Sequence, residues 1–413
     1  MKPTISTLAQ RISRVGLAAS LSIGLFGCGE EMPFSSLSGK VADGITSFNV
    51  KGTAVDGLIR DGEVTIYDFD GGKKGKVFGT STTDDFGLFS TVIEGAKAEG
   101  QYLMACVEGG EYTEEATGQV ITLEEGDSLC AIKLFDPAEG FDVVINPFSN
   151  LAVAKSLHSI AQNTPYLEAI DRANTSISTL YGFDILSTVP RDLTDPGQTG
   201  RAYDDSMKMG SSIAGISRYV LDRAGEVGVT GHSDEYSSIK FHQAAYKDIL
   251  ADGMLDGIGK SNDGQLDVNL GMGNTLFTPQ TYAKELAIAT LEFARSDKNK
   301  TDLSAEAILN EQQRITSSTS PMFPPLAEGE PVPSLDEVGP VVNFNIAEGV
   351  FISGTVNLEA ELSDFTGVQS LKLYVGGTEV DVTPGMAFDY SIQHTGYARW
   401  PAGRDLGSRG FIE

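Results

Sequence analysis

The hydrophobic period changes twice along this chain, and that change constrains its fold more than any single motif. Across residues 50–134, short apolar runs alternate with polar residues and are punctuated by Gly and Asp; Val64-Thr65-Ile66-Tyr67 and Leu88-Phe89-Ser90-Thr91-Val92 are typical. Period two over such short lengths means half-buried strands, and turn signals at this spacing predict a β-sandwich. From Phe148 the period becomes helical. Ile239, His242, Tyr246 and Ile249 fall on one helix face, as do Tyr282, Leu286, Ala289 and Phe293. Thr164-Pro165 and Thr278-Pro279 read as helix starts, with a capping Thr and proline at the first helical position. Four to six helices across roughly residues 146–318 are expected to share one core. After a proline-rich linker at residues 319–340, period two returns from Gly339.

The first residues add a compartment. Lys2, Arg11 and Arg14 precede an apolar run at residues 15–26, too short for a permanent membrane span, which needs about 20 residues. The run ends in Leu25-Phe26-Gly27-Cys28, which resembles the lipobox of bacterial lipoproteins. The resemblance implies an exported protein, cleaved before Cys28 and held to a membrane by lipid on that residue. Gly29 is not the aspartate associated with inner-membrane retention, so the outer membrane is the expected address, on its periplasmic face or at the cell surface. Residues 1–27 are thus a signal peptide and 28–48 a tether. Export leaves Cys106 and Cys130 as a pair in an oxidising compartment. Each lies in a strand-like run, so a disulfide between adjacent or facing strands is expected; two buried thiols are the alternative.

Family resemblances extend further. Lys51-Gly52-Thr53-Ala54-Val55-Asp56-Gly57, the strand ending at Tyr67, and Thr83-Asp84-Asp85-Phe86-Gly87-Leu88-Phe89 resemble the carboxypeptidase regulatory-like fold, a carbohydrate-binding-like β-sandwich, over about residues 49–137. In that pattern Asp84 and Gly87 make a tight turn and Phe89 returns to the core. The resemblance implies an accessory module that holds, spaces or binds. Tyr67, Tyr102 and Tyr112 form no evident sugar platform and read as strand-packing residues. Gly109-Gly110-Glu111-Tyr112 with the Glu114-Glu115-Ala116-Thr117-Gly118 that follows, then Asn146-Pro147-Phe148-Ser149-Asn150, are similar to segments of large bacterial surface lipoproteins, where a sandwich hands over to helices. Gly354-Thr355-Val356-Asn357-Leu358, then Asp364-Phe365-Thr366-Gly367-Val368 and the strand ending Leu373-Tyr374-Val375, resemble a bacterial Ig-like repeat over residues 341–413. Its expected ending is missing: Arg399, Arg404 and Arg409 crowd the last residues, whereas 339–398 hold one Lys, Lys372. That shift points to a truncated repeat read in a displaced frame, a natural tail being the alternative. The fold class expected is therefore multidomain β plus α: an Ig-like sandwich at 49–137, helices at 138–318 and a partial Ig-like sandwich at 341–413.

Chemistry is sparse in this sequence. A net charge of −27 over 413 residues argues against nucleic acid, because phosphate binding needs clustered Lys and Arg. The four histidines, His158, His232, His242 and His394, share no metal-ligand spacing, and His242 on its apolar stripe reads as a satisfied core residue. No nucleophile elbow, P-loop or dinucleotide fingerprint occurs; Gly210-Ser211-Ser212-Ile213 lies in a helical pattern. Asp84-Asp85, Asp204-Asp205 and Glu114-Glu115 read as turn, helix-start and solvated-face residues. Weak Ca²⁺ binding through Asp256, Asp263 and Asp267 is the one metal reading, set against a plain Gly-Asp connecting loop. It departs from an EF-hand, with Gly259 and Leu270 where carboxylates are needed. No other cofactor is expected. The partners implied are a membrane, through the lipid, and a glycan or protein ligand. The leading expectation is a non-enzymatic surface protein for adhesion, spacing or binding. The alternatives are a glycan-acting enzyme with its site among the helices, and the anchor stub of a longer Ig-like array.

Overall fold

The computed structural model describes residues 47–94, 101–136, 140–226, 228–233, 235–255, 282–318 and 333–334. It also describes the backbone of strands at 258–261, 264–267, 341–344, 351–363, 373–375, 378–380 and 387–399. The chain divides into two units, Met1–Lys40 and Val41–Glu413, of which the first lies outside the described residues. The second is mixed β and α, with mostly antiparallel sheets and six α-helices among the described residues.

Nine strands come first: β1 (Ser47–Ala54), β2 (Glu63–Asp70), β3 (Lys73–Thr82), β4 (Leu88–Glu94), β5 (Tyr102–Glu108), β6 (Glu111–Thr113), β7 (Val120–Thr122), β8 (Ser128–Leu134) and β9 (Phe141–Ile145). They form a sheet in the order β4-β1-β9, a second in the order β3-β2-β5-β8, and a β6-β7 pair. β9 runs parallel to β1, so this β structure extends past residue 137 to Ile145. The first two sheets face each other across one core: Val50, Phe89, Ile93 and Val143 from one meet Val64, Ile66, Leu103, Val107 and Ala131 from the other. Gly87, at φ +69°, completes the turn held by Asp84, whose Oδ1 accepts from the backbone of Phe86 and Leu88.

Strand β5 is buried at six consecutive residues. Such a run, without alternation, belongs to a strand covered on both faces. Leu103, Ala105 and Val107 point into the inter-sheet core, whereas Tyr102, Met104 and Cys106 join Phe69, Cys130 and Ile132 in a second core against helices. The helices are α1 (Pro147–Ala161), α2 (Tyr166–Tyr181), α3 (Asp205–Glu226), α4 (Ser238–Asp252), α5 (Tyr282–Arg295) and α6 (Ala305–Thr316). Val153 of α1 and Ile170 of α2 contribute to that second core. The four-stranded sheet is thus the middle of three layers.

Asn146 caps α1: its side chain accepts from Ser149 N, and Ser149 Oγ accepts from Asn146 N. At α2 the expectation needs correcting. Pro165 itself is the N-cap, with extended ψ of 133° and no side-chain cap bond, and the helix starts at Tyr166. Thr278-Pro279 lies outside the described residues. Gly182 ends α2 in the left-handed region, and the carbonyls there accept from Lys208 Nζ (Gly182 O) and Arg314 Nη2 (Leu180 O), as a helix C-terminus favours.

Two further strands, β10 (Ile258–Ser261) and β11 (Gly264–Asp267), pair antiparallel. Beyond the helices, β12 (Val341–Phe344), β13 (Phe351–Ser363) and β16 (Ala387–Arg399) form one antiparallel sheet, and β14 (Leu373–Val375) pairs with β15 (Thr378–Val380). The pairing of β13 with β16 continues through His394 to Arg399, with a register shift between Ile352 and Gly354. Residues 400–413 lie outside the described residues.

Cys106 and Cys130 sit directly opposite on β5 and β8 and are disulfide-bonded, with 4.1 Å between Cα atoms. Replacing both by Ala should lower unfolding stability by about 2–4 kcal/mol. Denaturant titration of the full chain, compared with the double variant, measures this directly.

Candidate functional site: a sealed carboxylate and histidine cluster

The chemistry-bearing side chains converge where the loop between β6 and β7 meets helices α3 and α4. Tyr112 on β6 faces the core by alternation, which turns Glu114, two residues later, the same way. The Glu114 carboxylate is fully buried. Its Oε1 accepts from Tyr112 Oη at 2.7 Å and from the Ser238 backbone N–H at 2.6 Å. Its Oε2 accepts from Ser217 Oγ at 2.6 Å and Ser238 Oγ at 2.7 Å. Ser238 is the first residue of α4, where free N–H groups and the helix dipole favour an anion.

His232, from the α3–α4 connection, completes the shell with Nε2 3.4 Å from Glu114 Oε2. The same Nε2 lies 2.9 Å from the Ser217 carbonyl, which can only accept, so Nε2 carries the proton. Its Nδ1 meets Thr117 Oγ1 at 2.9 Å, and its backbone N–H donates to Gln119 Oε1. Ala116 N donates to Ser217 Oγ, and Tyr112 Oη accepts from Ile239 N. The 112–119 segment is therefore the tie between the β structure and two helices.

A second pair lies beside the first. Asp56, in the turn after β1, is fully buried with Oδ1 3.0 Å from His242 Nε2, and Asp56 Oδ2 has no hydrogen-bond partner among the described residues. His242 is the satisfied core histidine its position on the stripe implied. Glu115 is also buried, and its Oε2 is likewise without a partner. The expectation of a solvated Glu114-Glu115 pair is thus overturned: the two helices cover this segment. Asp84 and Asp204 do occupy their expected places, in a turn and at the start of α3, where Asp204 Oδ1 accepts from Met207 N.

Electrostatics divides these carboxyls. Burial alone would raise the pKa of Glu114, but His232 and the hydrogen bonds from Ser217 and Ser238 outweigh it and hold the group below its ordinary value. Asp56 is raised, chiefly by burial and further by the Glu114 charge, although His242 opposes this. Glu115 is raised well above its ordinary value by burial, then by Glu114 and Asp56. One carboxylate is stabilised as an anion, and its two neighbours are driven toward the acid form. The group is buried and ties layers together. A cavity of about 10 Å³ among the helices, lined by Tyr181, Ser212, Ile216, Leu286, Thr290 and Gln312 among others, has no carboxylate in its wall.

The remaining sequence-derived positions lie apart. Cys28, Asp256 and Asp263 are outside the described residues, and Asp267 ends β11. His158 Nδ1 lies 3.2 Å from the Leu250 carbonyl. Among the described residues no group of three His, Cys, Asp or Glu side chains is placed to hold a metal ion. Neither the models of known protein families nor the curated proteins contain a match to this chain.

Adjacent glutamates should respond in opposite directions. Glu114→Gln places donors against donors and should cost about 2–4 kcal/mol at neutral pH. Glu115→Gln replaces a buried carboxyl already driven toward its neutral form and should be neutral or stabilising. Since the folded pKa of Glu114 lies below its unfolded value, its stability contribution is present above the ordinary carboxylate pKa and is lost as pH falls through the lowered value. For Glu115 and Asp56 the folded pKa is raised, so their contribution is complete below the unfolded pKa and is lost as pH rises through the folded one. Urea titrations across pH should therefore show acid sensitivity reduced in Glu114→Gln, and loss of stability toward higher pH reduced in Glu115→Gln.

Proposed function

We propose that this chain is an exported bacterial lipoprotein, anchored through Cys28, whose folded part is a non-enzymatic binding or spacing module. On this reading the paired N-terminal sheets form an Ig-like sandwich of the carboxypeptidase regulatory-like kind. Its outer side is covered by helices, and residues 341–413 belong to an Ig-like repeat.

The observation that carries the reading is how the reactive side chains are used. Glu114, His232, Asp56 and His242 are buried in hydrogen bonds that hold helices to sheets. The second handover motif does the same work: Ser149 Oγ donates to Cys130 O, and Asn150 Oδ1 accepts from Cys130 N. The Cys106–Cys130 bond adds support, since disulfides persist in oxidising compartments. What remains for recognition is the surface of the layers. A glycan or another protein is the ligand class such a module takes.

Mass spectrometry of the N-terminal peptide from cells producing the full chain should find acyl groups on Cys28, and Cys28→Ala should release the protein from the membrane fraction. Glycan and peptide substrates should be recovered intact after incubation with the purified protein. Turnover abolished by Glu115→Gln or Asp56→Asn, with folding retained, would replace this reading with the enzymatic one.

A further inference from the structure

We infer that the lysines of strand β3, Lys73, Lys74 and Lys76, form the surface that turns toward anionic lipid headgroups when the chain is anchored, orienting the folded body on its membrane. The inference rests on the anchored reading above. Its carrying observation is where these lysines lie relative to the point at which the chain enters the fold.

Strand registers locate that end. Lys74 pairs with Phe69, Phe69 with Tyr102 and Tyr102 with Leu134, making one row across the four-stranded sheet. In the facing sheet, Ser47, the first residue of β1, pairs with Glu94, the last of β4. The two ends coincide, because the rings of Phe48 and Phe135, neighbours of Ser47 and Leu134, are 4.8 Å apart. The segment that follows Cys28 therefore joins the β structure at the end that carries Lys73, Lys74 and Lys76.

The local chemistry fits a headgroup contact. β3 is the outermost strand of its sheet, and residues 73–77 are all exposed. Only its far half turns toward β4, where Ser81 Oγ donates to Ser90 O. Lys74 Nζ lies 3.8 Å from the Tyr67 ring centroid and Lys76 Nζ 4.7 Å from that of Phe78. No carboxylate among the described residues forms an ion pair with any of the three. Val77, at 53% exposure, adds an apolar side chain beside them. Cations on flexible stems next to apolar surface suit a lipid interface. Opposing charges share this end. Asp68 accepts from Gln101 Nε2 and Asp70 from Tyr166 Oη, while Glu94 and Asp136 are exposed. The contact is consequently an orienting one, weak on its own.

Tethering makes a weak contact sufficient. Eighteen residues separate Cys28 from Ser47. Covalent geometry caps the reach of that stretch at about 65 Å, so the lysines of an anchored chain stay at high effective concentration near the surface. With a net charge of −27 the body as a whole is repelled by anionic lipid, and the three lysines supply local attraction at this end.

The test uses the full lipidated chain with Val77→Cys, the new thiol carrying a donor fluorophore. It is reconstituted in vesicles of phosphatidylcholine alone or with about a third phosphatidylglycerol, with an acceptor-labelled lipid in each. Energy transfer should be higher on the anionic vesicles, fall at high salt, and decline with each of Lys73→Gln, Lys74→Gln and Lys76→Gln, by roughly fivefold in contact population per lysine. Transfer independent of lipid charge, or unchanged in the triple variant, overturns the inference. Flotation of the same samples separates the two failures: a chain that no longer floats overturns the anchored reading and this one with it, whereas a floating chain with composition-independent transfer overturns the orientation alone.

Discussion

A carboxylate that stays ionised when buried needs donors, and Glu114 sets the arrangement of everything around it. Its four short hydrogen bonds come from Tyr112, Ser217 and Ser238, that is, from the neighbouring strand β6, from α3 and from the start of α4. An ionised group deprived of such partners costs several kcal/mol, whereas a slipped apolar contact can repack at small cost. Apolar burial supplies most of the attraction between layers, at about 1.5–3 kcal/mol for each large side chain fully buried. It is nearly indifferent to sliding. The carboxylate is not, because a helix displaced by one turn would leave its donors about 5 Å away. Docking energy and docking register thus come from different residues: Phe69, Met104 and Ile170 for the first, Glu114 and its donors for the second.

The middle sheet poses a related problem at its edge. β8 is the last strand of its order, and its outward backbone groups would be unpaired. Helix side chains satisfy them at alternate residues. Ser128 O accepts from Gln243 Nε2, Cys130 O from Ser149 Oγ and Ile132 O from Asn174 Nδ2. The donors come from α4, α1 and α2 respectively, so three helices are registered on one strand. The disulfide ties the same strand to β5 at the residue where Ser149 and Asn150 hold it, concentrating three constraints at Cys130.

Much of this was legible from local pattern. Period two marked β2, β4 and β13, period 3.6 marked α4 and α5, and the Asp84–Gly87 turn could be read because its determinants lie within four residues. Glu114-Glu115 was misread for the opposite reason. The partners of Glu114 at Ser217 and Ser238 are 103 and 124 positions away, and nothing in a Thr113-Glu114-Glu115-Ala116 stretch announces them. The one local hint is Tyr112, whose strand alternation points Glu114 inward against the exposure its charge implies. Past residue 137, β9 escaped notice because five residues beside a helix cap give too short a window for alternation to register. Pro165 shows the limit of capping rules: a proline whose ψ is extended ends up outside the helix it precedes.

The two ends of the middle sheet are chemically different. Glu63, Glu108 and Ser128 form the row opposite to that of Lys74, Phe69, Tyr102 and Leu134, and β6 with its carboxylate tie follows directly from Glu108. β1 begins at the lysine row, so the sealed cluster lies toward the end of the sheet remote from the first residue of β1. The Glu114 tie and the Cys130 junction both hold helices to the β structure. Both are built from groups that leave the layers only by breaking several hydrogen bonds together, or a covalent bond. That arrangement keeps the layers in fixed register, because no one contact is lost without leaving a buried polar group unpaired.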